Sequence, residues 1–220
     1  VPVGHQEGSQ MPMNSVLDAL RPIFEDPTVY KTGHNLNFDL SVLGSHEISV
    51  TGCFRDTMVA AHLLGKKALG LKGLALDVLQ REMVPITDLI GRGKSQRTMD
   101  AVSIGEVSPY ACADADFTGR LFTIFKKDLR KQGSWDLFTA VEMPLIEILV
   151  TMQRNGITVN SLVLHDMSEN LDRTIGDLQL DVFRDVGHAF NVGSPKQLGG
   201  VLFDELGLPK TKKTKTGYST

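Results

Sequence analysis

The chain has few of the residues that build disulfide frameworks or metal–thiolate sites. Its only two cysteines, Cys53 and Cys112, lie far apart in the sequence. A disulfide scaffold needs more cysteines and a structural zinc site needs closer ones, so the composition argues against both. We expect two reduced core thiols in a cytoplasmic protein. No apolar run of about 18 residues occurs and the N-terminal segment has no signal-peptide pattern, so no membrane association is expected.

The sequence also lacks an excess of positive charge, with a net charge of −3 over 220 residues. A chain-wide basic nucleic-acid surface is therefore excluded, and any DNA contact must come from a local patch. One such patch contains Lys210, Lys212, Lys213 and Lys215 within six residues. A lysine run is ordinarily a solvated loop, but here it is mixed with Thr, Gly, Tyr and Ser, a composition that suits contacts to DNA phosphates.

Hydrophobic periodicity divides the chain into an α/β part and a helical part. In the first part the pattern predicts strands and helices, with a loop over residues 84–100. The predicted strands are 28–33 and 49–54, and the predicted helices are 13–26, 35–44, 57–64, 71–83 and 108–131. The pattern breaks at Lys131–Ser134, which places a domain boundary between residues 1–132 and 133–220. The second part reads as helices at 141–156, 161–187 and 195–206. Asp56 is the expected N-cap of the helix at 57–64, and Asn160 or Ser161 is the expected N-cap of the helix at 161–187.

The predicted helix after Ser108 and Pro109 carries a tyrosine and a carboxylate on one face. Ser108 and Pro109 have the pattern of an N-cap and first turn. Tyr110 and Asp114 are spaced i, i+4, and small residues surround them, which would let a substrate backbone approach. A carboxylate can bind a hard cation and a phenol can orient a water molecule. Taken alone, the pattern is also typical of a partly solvated helix face.

A second carboxylate occurs in an apolar helix. Asp39 lies between Phe38 and Leu40, with Asn35 one turn earlier, and a carboxylate in such surroundings needs a partner or a metal ion. Two acids on separate helices that meet at one strand layer are the arrangement that a two-metal phosphodiesterase requires. The alternative is that Asp39 is a surface acid.

Three phrases in the first part resemble the proofreading exonuclease domain of family A DNA polymerases. They are GHNLNFDLSVL, FRDTMVAAHLLG and SPYACADADFTGRLF, and the segment IGRGKSQRTM is similar to the family's loop before the last helix. In the second part VEMPLIEILVTMQRNGITVN resembles the family's entry into the polymerase domain. FNVGSPKQLGGVLFDELGLP, followed by KTKKTKTGYST, is similar to the start of the polymerase thumb. Together these stretches cover nearly the whole chain.

The resemblance implies an α/β, RNase H-like (DEDD-type) exonuclease domain without its first strands, followed by an α-helical thumb portion. It implies two divalent cations, Mg²⁺ or Mn²⁺, and release of nucleoside monophosphates from a 3′ end. Asp114 and Asp39 would be the metal ligands and Tyr110 would orient the attacking water. Contacts to DNA, single-stranded at the 3′ end and duplex at the thumb, are expected from one set of residues. They are Asn35, Gln96, Lys212, Lys213 and Lys215. The protein is expected to be a monomer.

One departure from the family pattern stands out: no Asp-x-Glu motif precedes Asp39. Those two carboxylates would supply central metal ligands, so metal affinity should fall sharply without them. We therefore expect this chain alone to be a poor nuclease or none. Two alternatives stay open, a stand-alone exonuclease similar to ribonuclease D and a non-catalytic scaffold that holds DNA. Residues 140–220 distinguish a polymerase from a stand-alone exonuclease similar to ribonuclease D, because that class lacks the segment that resembles the thumb.

One further cluster contains Trp135, Leu137 and Phe138, next to the domain boundary. We interpret it as packing at the domain junction rather than as a platform for base stacking. The six histidines show no zinc-ligand spacing. His34 is next to Asn35 and could approach the site, but we interpret it as structural.

Overall fold

The computed structural model describes residues 1–210, 213–214 and 217–218. The chain forms two compact units, Val1–Gly156 and Ile157–Thr220. The predicted domain boundary between residues 132 and 133 lies inside the first unit, and it stays a prediction. Within the described ranges no helix combines the length and apolar character that a membrane span needs.

The molecule is mostly helical, with one small parallel sheet in the first unit. Its first-unit elements are α1 Met13–Glu25, β1 Lys31–Gly33, α2 Leu36–Ser45, β2 Phe54–Asp56, α3 Thr57–Leu63, α4 Leu71–Leu79, α5 Ile86–Ile90, α6 Ile104–Gln132, α7 Trp135–Leu137 and α8 Met143–Asn155. Short 3₁₀ turns span Gly93–Ser95 and Met99–Ala101, and a π-helical turn spans Phe138–Glu142.

The second unit contains α9 Ser161–Val186, α10 Pro195–Gly200, a π-helical turn at Val201–Glu205, and the antiparallel pair β3 Lys213–Thr214 and β4 Gly217–Tyr218. Asn160 caps α9 as predicted, because its side-chain oxygen accepts from the Leu162 and Val163 amides. The single helix predicted at 195–206 is interrupted where the α-helical bonding changes to the π pattern at Val201.

The two strands of the first unit pair in parallel, with Lys31 opposite Phe54 and Gly33 opposite Asp56. The second strand begins at Phe54, so the prediction of a strand at 49–54 was wrong in position. Gly52 has a φ of +103° and its backbone lies against Pro27, where a Cβ would come within 2.7 Å of the Pro27 oxygen. That turn keeps the preceding residues out of the sheet, and the strand forms only after it.

Helix α6 begins four residues earlier than the sequence predicts. Ser103, not Ser108, caps it: the Ser103 hydroxyl accepts from the Glu106 amide at 3.3 Å and donates to the Glu106 carboxylate at 2.7 Å. This reciprocal capping box outweighs the single missing amide of Pro109, which lies inside the helix. The helix therefore continues without a break through Tyr110 and Asp114.

Three other predictions about the first unit need correction. Residues 84–100 contain the short helix α5 and the two 3₁₀ turns rather than a plain loop. Helix α4 stops at Leu79, because Gln80 adopts a left-handed φ of 53°. Both cysteines are exposed free thiols, not core residues: Cys53 precedes β2, and Cys112 is on an outward position of α6.

The core of the first unit lies between α6, the sheet and the helices α3, α4 and α8. Leu121, Phe125 and Leu129 of α6 are fully buried, with Leu74 of α4 and Phe138 beside them. Their spacing of four residues puts these three α6 side chains on one stripe. The half of α6 that carries this stripe anchors the helix, and its N-terminal half extends along the sheet to form the site described next.

Candidate active site

A cavity of about 1010 Å³ opens beside β1, between α2, α4 and the first half of α6. It brings together three predicted site residues from distant parts of the sequence: Asp39, Tyr110 and Asp114 all line it. Gly33, His34 and Lys72 also line it. The two helices that carry the carboxylates thus face one space, as a two-carboxylate site requires.

The buried carboxylate of Asp56 fixes α2 relative to β2 and α3. It accepts hydrogen bonds from the backbone amides of Leu36 at 2.7 Å and Asn35 at 3.2 Å, at the start of α2. It also accepts from Met58 at 2.8 Å and Val59 at 3.3 Å, at the start of α3. One side chain therefore satisfies orphan amides of two helices, and its negative charge suits both positive helix ends.

Gly33 ends β1 directly under the Asp39 carboxylate. A Cβ at residue 33 would stand 2.3 Å from Leu36 Cδ2 and 3.6 Å from Asp39 Oδ2. The first distance is far below van der Waals contact, and Leu36 is buried. The close approach of the backbone to α2 is possible because residue 33 has no side chain.

Both carboxyl groups of the cavity hold their protons more tightly than a free aspartic acid. Loss of hydration raises the pKa of Asp39, although the residue is exposed at the cavity wall, and the negative Asp56 raises that pKa further. Burial likewise raises the pKa of Asp114, against the opposing effects of the Lys72 ammonium, the Tyr110 hydroxyl and His34. The site thus disfavours negative charge when nothing positive is bound between its walls.

Tyr110 and Lys72 lie next to Asp114. The Lys72 Nζ is 5.0 Å from the centre of the Tyr110 ring, a cation–π geometry. Burial raises the pKa of the Tyr110 hydroxyl, and the Asp114 charge raises it further. The phenol is therefore a hydrogen-bond donor over the whole physiological range. Sequence reasoning missed Lys72, because a lysine on a short helix carries no signal of its own.

His34 lines the cavity in a defined tautomer. The Thr57 hydroxyl donates to the Gly33 carbonyl at 3.0 Å, so its oxygen is left to accept from His34 Nδ1 at 2.9 Å. Burial lowers the pKa of His34, against the raising effects of Asp56, the Leu69 carbonyl and Asp114. The imidazole is thus neutral at pH 7, and its buried Nε2 has no hydrogen-bond partner in the protein.

Asn35 and Gln96, the other predicted site residues of the first unit, do not line this cavity. Asn35 is exposed and adopts a left-handed φ of 67° as the N-cap of α2. Its backbone amide donates the hydrogen bond to Asp56 described above. Gln96 is exposed after the 3₁₀ turn at Gly93–Ser95. Lys213 is in β3, whose side chains are outside the described part, and Lys212 and Lys215 lie outside the described residues altogether.

The carboxylate oxygens of the cavity are of the type that binds a hard divalent cation. Carboxylate oxygens are the ligands that Mg²⁺ and Mn²⁺ prefer, and a bound cation would offset the penalty on the two charged carboxylates. Within the described part of the chain, no cluster of three or more His, Cys, Asp or Glu side chains could hold a metal ion. Asp39 and Asp114 are the two carboxylates that line this cavity.

Two family models match the chain. Residues 2–130 match the 3′–5′ exonuclease model of family A DNA polymerases, and residues 161–220 match the model of DNA polymerase family A itself. The chain is 40% identical to DNA polymerase I of Chloroflexus aurantiacus, covering all of this chain and 24% of that protein. It is 36% identical to DNA polymerase I of Pseudomonas aeruginosa, covering 99% of this chain and 25% of that protein.

A solved structure agrees with the sequence comparisons. The POL domain of Pol1 from M. smegmatis, in complex with DNA primer-template and dNTP, is 31% identical with a TM-score of 0.61. The match covers 96% of this chain and 33% of that one. The chain spans about a quarter of the length of the curated relatives it matches.

The matched models, together with a cavity that holds two carboxylates and a tyrosine, define the class: a 3′–5′ exonuclease domain joined to the start of a polymerase domain. The chain belongs to the family A DNA polymerases of the DNA polymerase I type. The resemblance noted in the sequence is thereby confirmed. The match at 161–220 also argues against a stand-alone exonuclease similar to ribonuclease D.

Proposed function

We propose that the cavity is a 3′–5′ proofreading exonuclease site, in an RNase H-like (DEDD-type) domain of a DNA polymerase. The observation that carries this proposal is the convergence of Asp39, Tyr110 and Asp114 on one cavity from helices far apart in the sequence. The substrate would be the single-stranded 3′ end of DNA. Hydrolysis would add water across the terminal phosphodiester and release a nucleoside 5′-monophosphate.

In this proposal Asp39 and Asp114 hold divalent cations, Mg²⁺ or Mn²⁺. Bound cations of this kind supply charge neutralisation at a phosphodiester and an acidified water molecule. Asp114 would be a direct ligand of a cation, and Asp39 would act through water. Tyr110 keeps its proton and orients the attacking water by hydrogen bonding. Neutral His34 adds no positive charge to the cavity.

Lys72 supplies the one positive side chain on the cavity wall close to Asp114. A phosphate placed between Lys72 and Tyr110 would receive a charge-assisted hydrogen bond from the ammonium. In that role Lys72 binds substrate and lowers the repulsion between the DNA backbone and the two carboxylates. It therefore contributes to binding and orientation, and it takes no part in proton transfer.

The remaining contacts to DNA are proposed on the family pattern. Asn35 and Gln96 would contact the single strand outside the cavity, and Lys212, Lys213 and Lys215 would contact duplex phosphates at the thumb. The whole protein would be a monomeric, cytoplasmic DNA-directed DNA polymerase. With two carboxylates available in the described part of the chain, we expect weak metal affinity and slow or absent hydrolysis by the 220-residue chain.

A single-stranded oligonucleotide labelled at its 5′ end tests the proposal by fluorescence anisotropy. Binding should strengthen when Mn²⁺ is added, and Asp114→Asn and Asp39→Asn should each remove most of that enhancement. Asp116→Asn is the matched control, because Asp116 is also on α6 but is exposed and paired with Arg120 at 2.8 Å. Oligonucleotide binding that does not change with Mn²⁺ would contradict the proposed site and favour a non-catalytic scaffold. The same holds if all three variants change the binding equally.

A further inference from the structure

A second cavity of the first unit, of about 530 Å³, opens beside β2 and the C-terminal part of α6. Arg55, Lys126, Arg130, Trp135 and Phe138 line it, and Tyr30 is the single residue that it shares with the candidate active site. Its volume falls in the range of small-molecule sites, which run from about 300 to 1,000 Å³. None of its other lining residues enters the function proposed above.

Three cations of this cavity lie over aromatic rings instead of against acids. The Arg55 guanidinium carbon is 3.5 Å from the centre of the Tyr30 ring and 5.1 Å from that of Phe122. On α6, Arg130 lies 5.0 Å and Lys126 5.8 Å from the Trp135 ring. The spacing of Lys126 and Arg130 is i, i+4, so both cations project from one helix face towards the same ring.

Over the described ranges, the positive charges of these three side chains are not neutralised by ion pairs with acidic residues. Among the residues that the structure describes, no carboxylate forms an ion pair with Arg55, Lys126 or Arg130. Glu147 is the one acidic residue that lines the cavity with them. Three positive groups against one negative group leave a local excess of positive charge in a concave site, which concentrates anions.

The aromatic rings of this cavity provide a second type of ligand contact, which is stacking. Tyr30 is 56% exposed although Arg55 lies close over it, so ring surface remains accessible. Trp135 is half-buried against Phe138, with ring centres 5.6 Å apart. Flat aromatic faces and planar guanidinium groups both stack against nucleobases, and cations bind phosphate. A ligand that satisfies both features carries a flat ring and an anionic group on one small molecule.

We propose that this cavity binds a nucleoside 5′-phosphate unit, with the base against Tyr30 and Trp135 and the phosphate on Lys126, Arg130 and Arg55. The unit is either a free mononucleotide or one nucleotide of a single strand, since the recognising chemistry is the same. This site does not depend on the exonuclease proposal, because its lining residues, apart from Tyr30, are different ones.

Trp135 is the only tryptophan of the chain, so its fluorescence reports on this cavity alone. The 220-residue chain is titrated with deoxyadenosine 5′-monophosphate, with deoxyadenosine, with inorganic phosphate and with a short single-stranded oligonucleotide. N-acetyltryptophanamide corrects for absorption by the nucleotide. We expect saturable quenching by the mononucleotide or by the oligonucleotide, at a Kd at least about tenfold lower than for deoxyadenosine or phosphate.

The double variant Lys126→Gln/Arg130→Gln should weaken that binding by about tenfold or more. Its matched control is Lys127→Gln/Lys131→Gln, which removes the same charge from exposed positions of the same helix that do not line the cavity. A melting curve shows that each variant is folded, and Kd values are compared because the variants alter the starting fluorescence.

Either of two ligand patterns supports the proposal. Saturation by the mononucleotide identifies a free-nucleotide site, and saturation by the oligonucleotide alone identifies a single-strand contact. Three results would overturn it: no saturable quenching by either ligand, phosphate binding as tightly as the nucleotide, or equal weakening in the two double variants.

Discussion

The two compact units use similar amphipathic patterns with opposite results for burial. In the first unit, α6 buries Leu121, Phe125 and Leu129 completely. In the second unit, α9 has no buried residue, and its Leu171 and Leu178 are 58% and 59% exposed. Periodicity therefore predicts that a segment is helical, but it does not predict whether the apolar face is covered. The cavity with the two carboxylates lies in the unit whose core fixes helix positions.

The largest expected effect follows directly from this difference. Leu121→Ala should lower the free energy of unfolding by about 2–5 kcal/mol, because it leaves a void in a close-packed core. Leu171→Ala, the matched change on α9, should alter it by no more than about 0.5 kcal/mol. Chemical denaturation of both variants measures the difference. Equal losses would show that α9 is packed as tightly as α6, contrary to the exposure of its side chains.

Asp56 offers a test of how the site is held together. Asp56→Ala removes the acceptor of four backbone amides at the starts of α2 and α3, and should cost about 2 kcal/mol or more. Asp56→Asn keeps one acceptor oxygen and should cost less. Thermal melts give the ranking, and chemical shifts of α2 amides report whether Asp39 moves. If the alanine variant were as stable as the parent, the carboxylate would not be holding these helices.

Alanine substitutions at Gly33 and Gly119 compare a glycine whose backbone is closely packed with a glycine that has open space around it. Gly33→Ala forces a Cβ against Leu36 and should destabilise the chain by about 1–3 kcal/mol. Gly119→Ala, in the middle of α6 with nothing within 4 Å of the added Cβ, should stabilise it by about 0.5–1 kcal/mol. Denaturation midpoints of the two variants should therefore shift in opposite directions; a shift in the same direction would remove the packing argument for residue 33.

The smallest expected effect concerns pH. Because the pKa of Asp39 is higher in the folded chain than in the unfolded one, stability falls as pH rises from about 3.9 through the raised folded value. Asp39→Asn should therefore raise Tm at pH 7 in the presence of a chelator, and the gain should disappear below the unfolded pKa. Asp116→Asn, which loses an exposed ion pair, should give no gain. A gain that persisted unchanged at low pH would contradict the assigned cause.

Local sequence signals predicted many of the helices and three residues that line the candidate active site. The caps at Asp56 and Asn160 and the spacing of Tyr110 and Asp114 act within a few residues, so the sequence alone was enough to predict them. The start of α6 was mispredicted because two caps competed, and the capping box at Ser103 outweighed the Ser108–Pro109 pair. Lys72 was not predicted and His34 was interpreted as structural, because the surroundings of both residues depend on which side chains the fold brings beside them.

The residues around Trp135 also show that the sequence alone does not predict which side chains come together in the fold. Phe138 packs in the core of the first unit, whereas Trp135 stays half-buried beside Lys126 and Arg130. A sequence pattern identifies aromatic residues near a predicted domain boundary, but only the folded chain places cations over their rings. The exposure of Cys53 and Cys112 has a similar origin, because residue type alone does not determine which side of an element faces solvent.

If Asp39 and Asp114 act together on a divalent cation, Mn²⁺ should broaden the backbone amide signals near both residues. We predict that low Mn²⁺ concentrations broaden amides of β1, the first turn of α2 and residues around Asp114. Asp39→Asn or Asp114→Asn should each remove that pattern, and Asp116→Asn should leave it intact. Broadening centred elsewhere, or unchanged by the first two variants, would contradict the account.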